Sequence, residues 1–187
     1  MKKVFLILLC LSFWGCSTPF VKMSGVSIGD TLYARSNLLV KGDIVYWHNM
    51  SVLKEVISVG TEIKVLNFSN TEIVFSIPGR DKKYRILVET GYYDKFFVKN
   101  KQDIGLDKIS PSVMEEIKKR KVSKGMTKNE ALISKGCPSF IDLGEKSLRH
   151  PLQDLMDSDT WYYNANARGL ECLVKFENNH VSEITRY

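Results

Sequence analysis

Residues 122–138 restrict the fold of this chain more than any other stretch. Thr127 is suited to be the N-cap of a helix, and Glu130, three residues later, completes a capping box. Gly136 and Pro138 then end the helix, because glycine tolerates the left-handed conformation and proline cannot continue a helix. A helix of about nine residues is too short to be stable in isolation. The sequence therefore predicts that this helix packs on another element.

An antiparallel sheet near the end of the sequence is the predicted partner of this helix. Three runs rich in aromatic and β-branched residues, separated by turn residues, predict strands at 161–163, 170–177 and 181–186. The side chains that alternation places on one face of the middle strand are Leu170, Cys172, Val174 and Phe176. We expect the helices to cover this apolar face.

A further helix is predicted just upstream, where Pro111 follows Ser110, because proline is favoured at the first helical position. Its apolar stripe consists of Val113, Met114 and Ile117. On its exposed side, acid–base pairs four residues apart are expected between Glu115 and Lys119 and between Glu116 and Arg120.

The end of this upstream helix and the loop after it are basic. Cations at the C-terminal end of a helix complement its dipole, which is the structural interpretation. The functional interpretation is a contact surface for a partner protein or for anionic lipid headgroups. The residues of this candidate surface are Lys118, Lys119, Lys121, Lys124 and Lys128.

A family resemblance rests on a motif in this part of the chain. The motif consists of Gly125, Met126, Thr127, Glu130, Gly136, Pro138 and Trp161. It resembles the small outer-membrane lipoproteins of the SmpA/OmlA (BamE-like) family, over residues 107–187. The resemblance implies two short helices packed on a three-stranded antiparallel sheet. It also implies a protein partner at the outer membrane, such as the machinery that inserts β-barrel proteins.

The start of the chain predicts a lipoprotein signal peptide. Lys2 and Lys3 precede an apolar run at residues 4–13, which is shorter than the roughly 20 residues needed to span a bilayer. Gly15 then precedes Cys16, as a lipoprotein signal peptidase requires, so we expect the thiol of Cys16 to be acylated and the lipids to anchor the protein in a membrane. The residue after Cys16 is a serine, which is compatible with transport to the outer membrane and a location on its periplasmic face.

Residues 31–105 predict a small β domain. The candidate strands lie at 32–40, 43–48, 54–67, 72–77, 84–89 and 96–99, separated by turn residues. Five or six short strands in about 70 residues favour a small barrel or sandwich. Residues 57–65 weakly resemble a piece of bacterial SH3-like domains, and this resemblance implies that the domain could bind peptidoglycan.

The predicted fold class is therefore α+β, with four parts. They are a signal peptide at residues 1–15, a lipidated tether at 16–30, a β-rich SH3-like domain at 31–105 and a BamE-like αα-βββ module at 106–187.

Two cysteines remain after processing, and two alternatives are open for them. Cys137 closes the predicted second helix and Cys172 lies on the apolar face of the sheet, so an oxidising compartment would allow a disulfide between them. The alternative is a pair of buried free thiols.

Catalytic and cofactor motifs are missing from the sequence. His48, His150 and His180 are isolated and show no metal-ligand spacing, so we expect no metal site and no cofactor. No nucleophile-elbow, P-loop or dinucleotide motif occurs. The net charge of +6 is scattered along the chain, which does not favour nucleic-acid binding. The sequence therefore predicts a protein that is not an enzyme.

Three functions fit these features. The leading one is a lipid-anchored envelope scaffold that binds a partner protein, with a role in outer-membrane protein assembly implied by the family resemblance. The alternatives are a peptidoglycan-binding lipoprotein and an inhibitor of a periplasmic enzyme, since β-lactamase inhibitor proteins have a similar αα-βββ unit.

Anchoring is predicted to depend on Cys16. The change Cys16→Ala should abolish incorporation of labelled fatty acid and leave a longer precursor that keeps its signal peptide, because the acylated thiol is missing. Lipid labelling and electrophoretic mobility measure both effects. A Cys16→Ala protein that is still processed and lipid-labelled would contradict the assignment.

Overall fold

The computed structural model describes residues 26–48, 55–69, 71–87, 92–142, 144–166 and 169–187. The predicted signal peptide and Cys16 lie outside these residues, as do the ends of two predicted strands, at residues 54 and 88–89. The described chain contains two β-sheets and three α-helices, so the predicted α+β class is confirmed. None of the described helices is both long and apolar enough to cross a bilayer.

The first sheet contains eight short strands and curls into a half-barrel. They are β1 (Thr31–Ala34), β2 (Leu38–Lys41), β3 (Ile44–Val45), β4 (Glu55–Ile57), β5 (Glu62–Phe68), β6 (Glu72–Ser76), β7 (Lys83–Leu87) and β8 (Phe97–Val98). Their order is β4-β2-β3-β7-β6-β5-β1-β8, and every pair is antiparallel except the parallel pair β3–β7. Alternate side chains point into the core, as β5 shows with buried Ile63 and Val65.

Two of the predicted strands are each divided in the structure. The run 32–40 breaks between β1 and β2, where the backbone amide of Asn37 donates to the Ile133 carbonyl at 3.1 Å instead of to a neighbouring strand. The run 54–67 breaks between β4 and β5 at a turn, where Gly60 adopts a φ of 76°. A positive φ of this size favours glycine, so the turn is encoded locally.

The second sheet has five antiparallel strands in the order β10-β9-β11-β12-β13. The three predicted strands are confirmed as β11 (Thr160–Asn166), β12 (Gly169–Glu177) and β13 (His180–Arg186). The connection before them also forms β9 (Phe140–Ile141) and β10 (Glu145–Lys146), which the sequence did not predict. Strands β12 and β13 meet at a two-residue turn, in which Asn178 and Asn179 both have positive φ.

The helices are α1 (Pro111–Lys118), α2 (Lys128–Lys135) and α3 (Leu152–Asp157). The predicted capping box is confirmed, because the Thr127 hydroxyl accepts from the Glu130 amide and the Glu130 carboxylate accepts from the Thr127 amide. Helix α1 begins after its N-cap Ser110, with Pro111 first, and α2 ends at Gly136, both as predicted.

The predicted pairing along α1 is wrong by one residue. The ion pairs are Glu115–Lys118 at 2.6 Å and Glu116–Lys119 at 3.1 Å, three residues apart rather than four. The helix ends at Lys118, and Arg120 adopts a φ of 58°, which turns it away from the helical face that carries Glu116.

Trp161 lies at the centre of the second half of the protein. Its side chain is fully buried, packs edge-on against Phe176 with ring centroids 4.7 Å apart, and donates from Nε1 to the Leu155 carbonyl at 3.0 Å. The helices cover the predicted apolar face of β12, where Cys172, Val174 and Phe176 are all buried. The same hydrophobic cluster continues into the first sheet, so both sheets share one core.

Asn37 connects the first sheet to the ends of two helices. Its side-chain amide donates to the Ile117 carbonyl at 2.9 Å and to the Ser134 carbonyl at 3.1 Å. Its Oδ1 accepts from the Val59 amide at 3.1 Å. These bonds fix the last turns of α1 and α2 against the half-barrel.

Lys95 makes the second polar connection between the halves. Its side chain is 0% exposed, and its ammonium donates to the carbonyls of Ser147, Leu148 and His150 at 2.7, 3.0 and 2.6 Å. An ammonium has three N–H donors, so all of them are used. Burial lowers the pKa of Lys95, since desolvation disfavours the charged form.

Replacing Lys95 with methionine should destabilise the fold by about 3–5 kcal/mol, because buried carbonyls lose their donor. Urea unfolding of the full chain measures the change, with Lys83→Met as the matched control. Lys83 is exposed, so the control should unfold like the unaltered protein. A Lys95→Met protein with an unchanged unfolding midpoint would show that the ammonium makes no net contribution to the stability of the fold.

Candidate functional site: a basic cleft

A cleft of about 270 Å³ opens where the ends of α1 and α2 meet the last strands of the second sheet. It contains four cationic side chains and a single carboxylate. The residues that line it are Arg120, Lys121, Val122, Lys135, Glu171, Cys172, Ile184 and Arg186. The cleft is therefore an electropositive concavity that favours anionic groups.

The helix ends place the cations of one wall. Arg120 follows α1 directly in a left-handed conformation, and the Lys121 amide donates to the Glu116 carbonyl at 2.9 Å. The Ser134 hydroxyl holds this segment by donating to the Lys121 carbonyl at 2.7 Å. Lys135 is the last residue of α2. Positive side chains at both helix C-termini are also stabilised by the helix dipoles.

One cation of the cleft is held by the carboxylate. The Lys135 ammonium lies 2.7 Å from Glu171 Oε1 and 5.3 Å from the centre of the Tyr163 ring. The other oxygen, Oε2, is buried and has no hydrogen-bond partner among the described residues. The single carboxylate of the cleft is thus committed to Lys135, and the lining contains more cations than carboxylates.

Cys172 lies at the floor of the cleft and is 5% exposed. Burial raises the pKa of its thiol, although Lys135 and Arg186 oppose this effect. Burial also raises the pKa of Cys137, whose sulfur lies 3.3 Å from the Ser147 hydroxyl. Both cysteines are free thiols in the structure, so the disulfide is not formed in it. A thiol with a raised pKa is protonated near neutrality and is a poor nucleophile.

The α1–α2 loop covers the first part of the β13 edge beside the cleft. The Val181 amide donates to the Met126 carbonyl at 2.7 Å, and the Gly125 amide donates to the Val181 carbonyl at 2.9 Å. The Lys128 amide continues this pairing to the Asn179 carbonyl at 3.1 Å. These bonds account for the Gly125-Met126-Thr127 motif as a structural element, with Met126 buried and Gly125 at a φ of 85°.

The five lysines that are predicted to contact a partner differ in their exposure and in their ion pairs. Lys121 lines the cleft, and Lys124 is exposed in the loop next to it. Lys118 and Lys119 are exposed but form ion pairs with glutamates of α1. These four remain available to a partner.

The prediction that Lys128 contacts a partner or a headgroup is wrong. Its side chain is 5% exposed, and its ammonium donates to the Met156 carbonyl at 2.8 Å and to Asp159 at 3.0 Å. It also lies 5.6 Å from the centre of the Phe176 ring. The side chain points into the protein because it neutralises Asp159 and satisfies the end of α3.

Sequence reasoning missed most of the cleft. The sequence predicts that Arg120 pairs with Glu116 on the surface of the helix, and it assigns no contact to Lys135 or Arg186. Two signals were present: Lys135 is the last residue of the predicted second helix, and Arg186 lies in the predicted third strand. Only the register of that strand, with Cys172 opposite Arg186, brings the two halves of the cleft together.

A second, apolar pocket of about 490 Å³ lies on the first sheet beside β3. Its lining includes Tyr46, Trp47 and His48, with Leu148 from the second half of the protein. Burial lowers the pKa of His48, so its imidazole is neutral near physiological pH. Among the described residues, no group of three or more His, Cys, Asp or Glu side chains is arranged to hold a metal ion.

The chain was compared with protein-family models, with curated proteins and with solved structures, and none of them matches it.

Charge reversal at Lys124 and at Lys128 should have different effects on the stability of the protein. The change Lys128→Glu should destabilise the protein by about 3–5 kcal/mol, because it buries a carboxylate against a carbonyl and Asp159. The matched change Lys124→Glu, four residues earlier and exposed, should leave stability nearly unchanged. Thermal and urea unfolding of both variants provide the measurement. Equal stability of the two would mean that Lys128 is not buried in solution.

Proposed function

We propose that this protein is a lipid-anchored scaffold of the cell envelope that binds a partner protein through the basic cleft. Acyl groups on Cys16 hold it at the periplasmic face of the outer membrane. The observation that carries the proposal is the cleft itself, an exposed concavity with an excess of cations, bounded on one side by a sheet edge.

The chemistry of the cleft favours binding over catalysis. Its thiol is buried with a raised pKa, and its carboxylate is paired with Lys135. Cations at the rim of an interface accelerate association with an acidic partner and select against basic ones. Lys121 and Arg186 are exposed and suited to this role.

The sequence resemblance gives the proposal its biological setting. In the proposed function, residues 106–187 act as a BamE-like module, and the partner is part of the machinery that assembles outer-membrane proteins. The first sheet acts as an SH3-like support for that module. The hydrogen bonds of Asn37 and Lys95 are consistent with a supporting role, since they fix the elements around the cleft.

A second function, binding of peptidoglycan, is favoured by the apolar pocket on the first sheet. Trp47 and Tyr46 line it, and aromatic faces of this kind pack well on the apolar faces of sugars. This function would place the ligand on the half-barrel, away from the basic cleft. The two proposals therefore predict opposite effects of mutations in each site.

Partner capture from the envelope tests the leading proposal. Full-length, lipidated protein is cross-linked in cells, solubilised in detergent and purified, beside the double variant Lys121→Glu/Arg186→Glu. The variant should lose the cross-linked partner, because its cleft carries the wrong charge. The control Lys146→Glu reverses an exposed lysine on β10, at the opposite edge of the same sheet, and should keep the partner.

Sedimentation with purified cell-wall sacculi is the parallel measurement. Equal capture by all three proteins, together with sacculus binding that Trp47→Ala abolishes, would replace the scaffold proposal with the peptidoglycan one.

A further inference from the structure

We infer that the ligand of the basic cleft is a short, acidic, extended segment of the partner that adds to the open end of β13 as an extra strand. This inference rests on the proposed function and specifies the chemistry of its partner. It combines two observations, the excess of cations in the cleft and the direction of the backbone groups along the strand edge.

The edge of β13 is open beside the cleft. Ser182 is an extra residue in the β12–β13 ladder, since Phe176 lies opposite Val181 and Lys175 opposite Glu183. Beyond this bulge, the Tyr187 amide donates to the Glu171 carbonyl of β12 at 3.0 Å. Backbone groups alternate in direction along a strand, so the amides and carbonyls of Ile184 and Arg186 point away from β12.

The protein already pairs a segment with the earlier part of this edge. The α1–α2 loop bonds to Val181 and Asn179, which shows that β13 accepts a neighbour on this side. Before Gly125 the chain passes through Arg120, Lys121 and Val122, which form the far wall of the cleft. The space for an incoming segment therefore lies between this wall and the backbone of residues 184–186.

The side chains around the open edge fit an alternating acidic segment. In an added strand, alternate side chains point to the same face, so every second one would enter the cleft. Carboxylates at those positions would meet Lys121 and Arg186, and arginine binds carboxylates with two parallel hydrogen bonds. Val122 and Ile184 offer apolar contact to the stem of the entering side chain.

A peptide explains the cleft better than a free anion does. Phosphate or a lipid headgroup would use the cations but would leave the outward amide and carbonyl groups of β13 bonded only to water. A peptide backbone supplies both donors and acceptors, as strand addition requires. The two ligands make different predictions, because only the peptide depends on its own amide hydrogens.

Binding of synthetic peptides to full-length protein in uncharged detergent tests the inference. The probe is a labelled eight-residue peptide in which Glu alternates with Val, measured by fluorescence anisotropy. Its matched control carries N-methyl groups on alternate amides, which keep the charge and remove strand pairing. A second control replaces each Glu with Lys. The first peptide should bind, the N-methylated one at least about tenfold more weakly, and the Lys peptide not at all.

Variants of the protein place the site. The changes Arg186→Glu and, separately, Lys121→Glu should each weaken binding of the Glu–Val peptide by at least about tenfold, whereas Lys146→Glu should leave its binding unchanged. Lys121 lies on an exposed loop, so this variant tests the site even if Arg186→Glu fails to fold.

Several results would overturn the inference. Equal binding of the N-methylated peptide would exclude strand addition. Competition by inorganic phosphate, or by phosphatidylglycerol mixed into the detergent micelles, would identify an anion or lipid site instead. If no peptide binds while envelope capture still requires Arg186, the inference fails and the scaffold proposal stands. If capture is also independent of Arg186, both fail.

Discussion

The two halves of this protein depend on one buried ammonium group. Burying a lysine in a hydrophobic core costs several kcal/mol unless its charge and its donors are satisfied. Lys95 meets this condition with three backbone carbonyls from residues 147–150, a segment of the other half of the chain. The lysine and this turn therefore need each other, since either one alone would leave buried polar groups unsatisfied. Such an arrangement favours a single relative orientation of the two sheets over sliding alternatives.

That orientation determines the geometry of the cleft. Asn37 binds the carbonyls of Ile117 and Ser134, near the C-terminal ends of α1 and α2. Arg120 and Lys135 follow within three residues of these carbonyls, so the half-barrel fixes the positions of both cations. The first sheet consequently contributes to the site without lining it. A partner that recognises the spacing of the cations would sense whether the two halves are correctly packed.

Local signals account for what the sequence predicted well. Three signals act within a few residues and can be recognised in the sequence without knowledge of tertiary contacts. They are the capping box at Thr127, the proline that starts α1 and the alternation along β12. The burial of Lys95 and Lys128 could not be predicted from local signals. Lysine is ordinarily exposed, and only carbonyls that are distant in the chain make its burial favourable. Strands β9 and β10, of two residues each, are too short to carry a periodic pattern. The cleft could not be predicted from local patterns either, because its walls come from segments about 50 residues apart in the chain.

The exposed edges of the sheets explain why β13 is the place where a strand would add. Natural sheets limit edge-to-edge association with short edge strands, charges and bulges. The other edge strands, β4, β8 and β10, are two or three residues long. β13 has seven residues, of which the loop at Gly125–Lys128 covers the beginning. The bulge at Ser182 then changes which backbone groups face outward, and the cations of the cleft stand beside the uncovered remainder. In the proposed complex, positive charge there would repel a second copy of the same edge and attract an acidic segment, so the open edge would still select its partner.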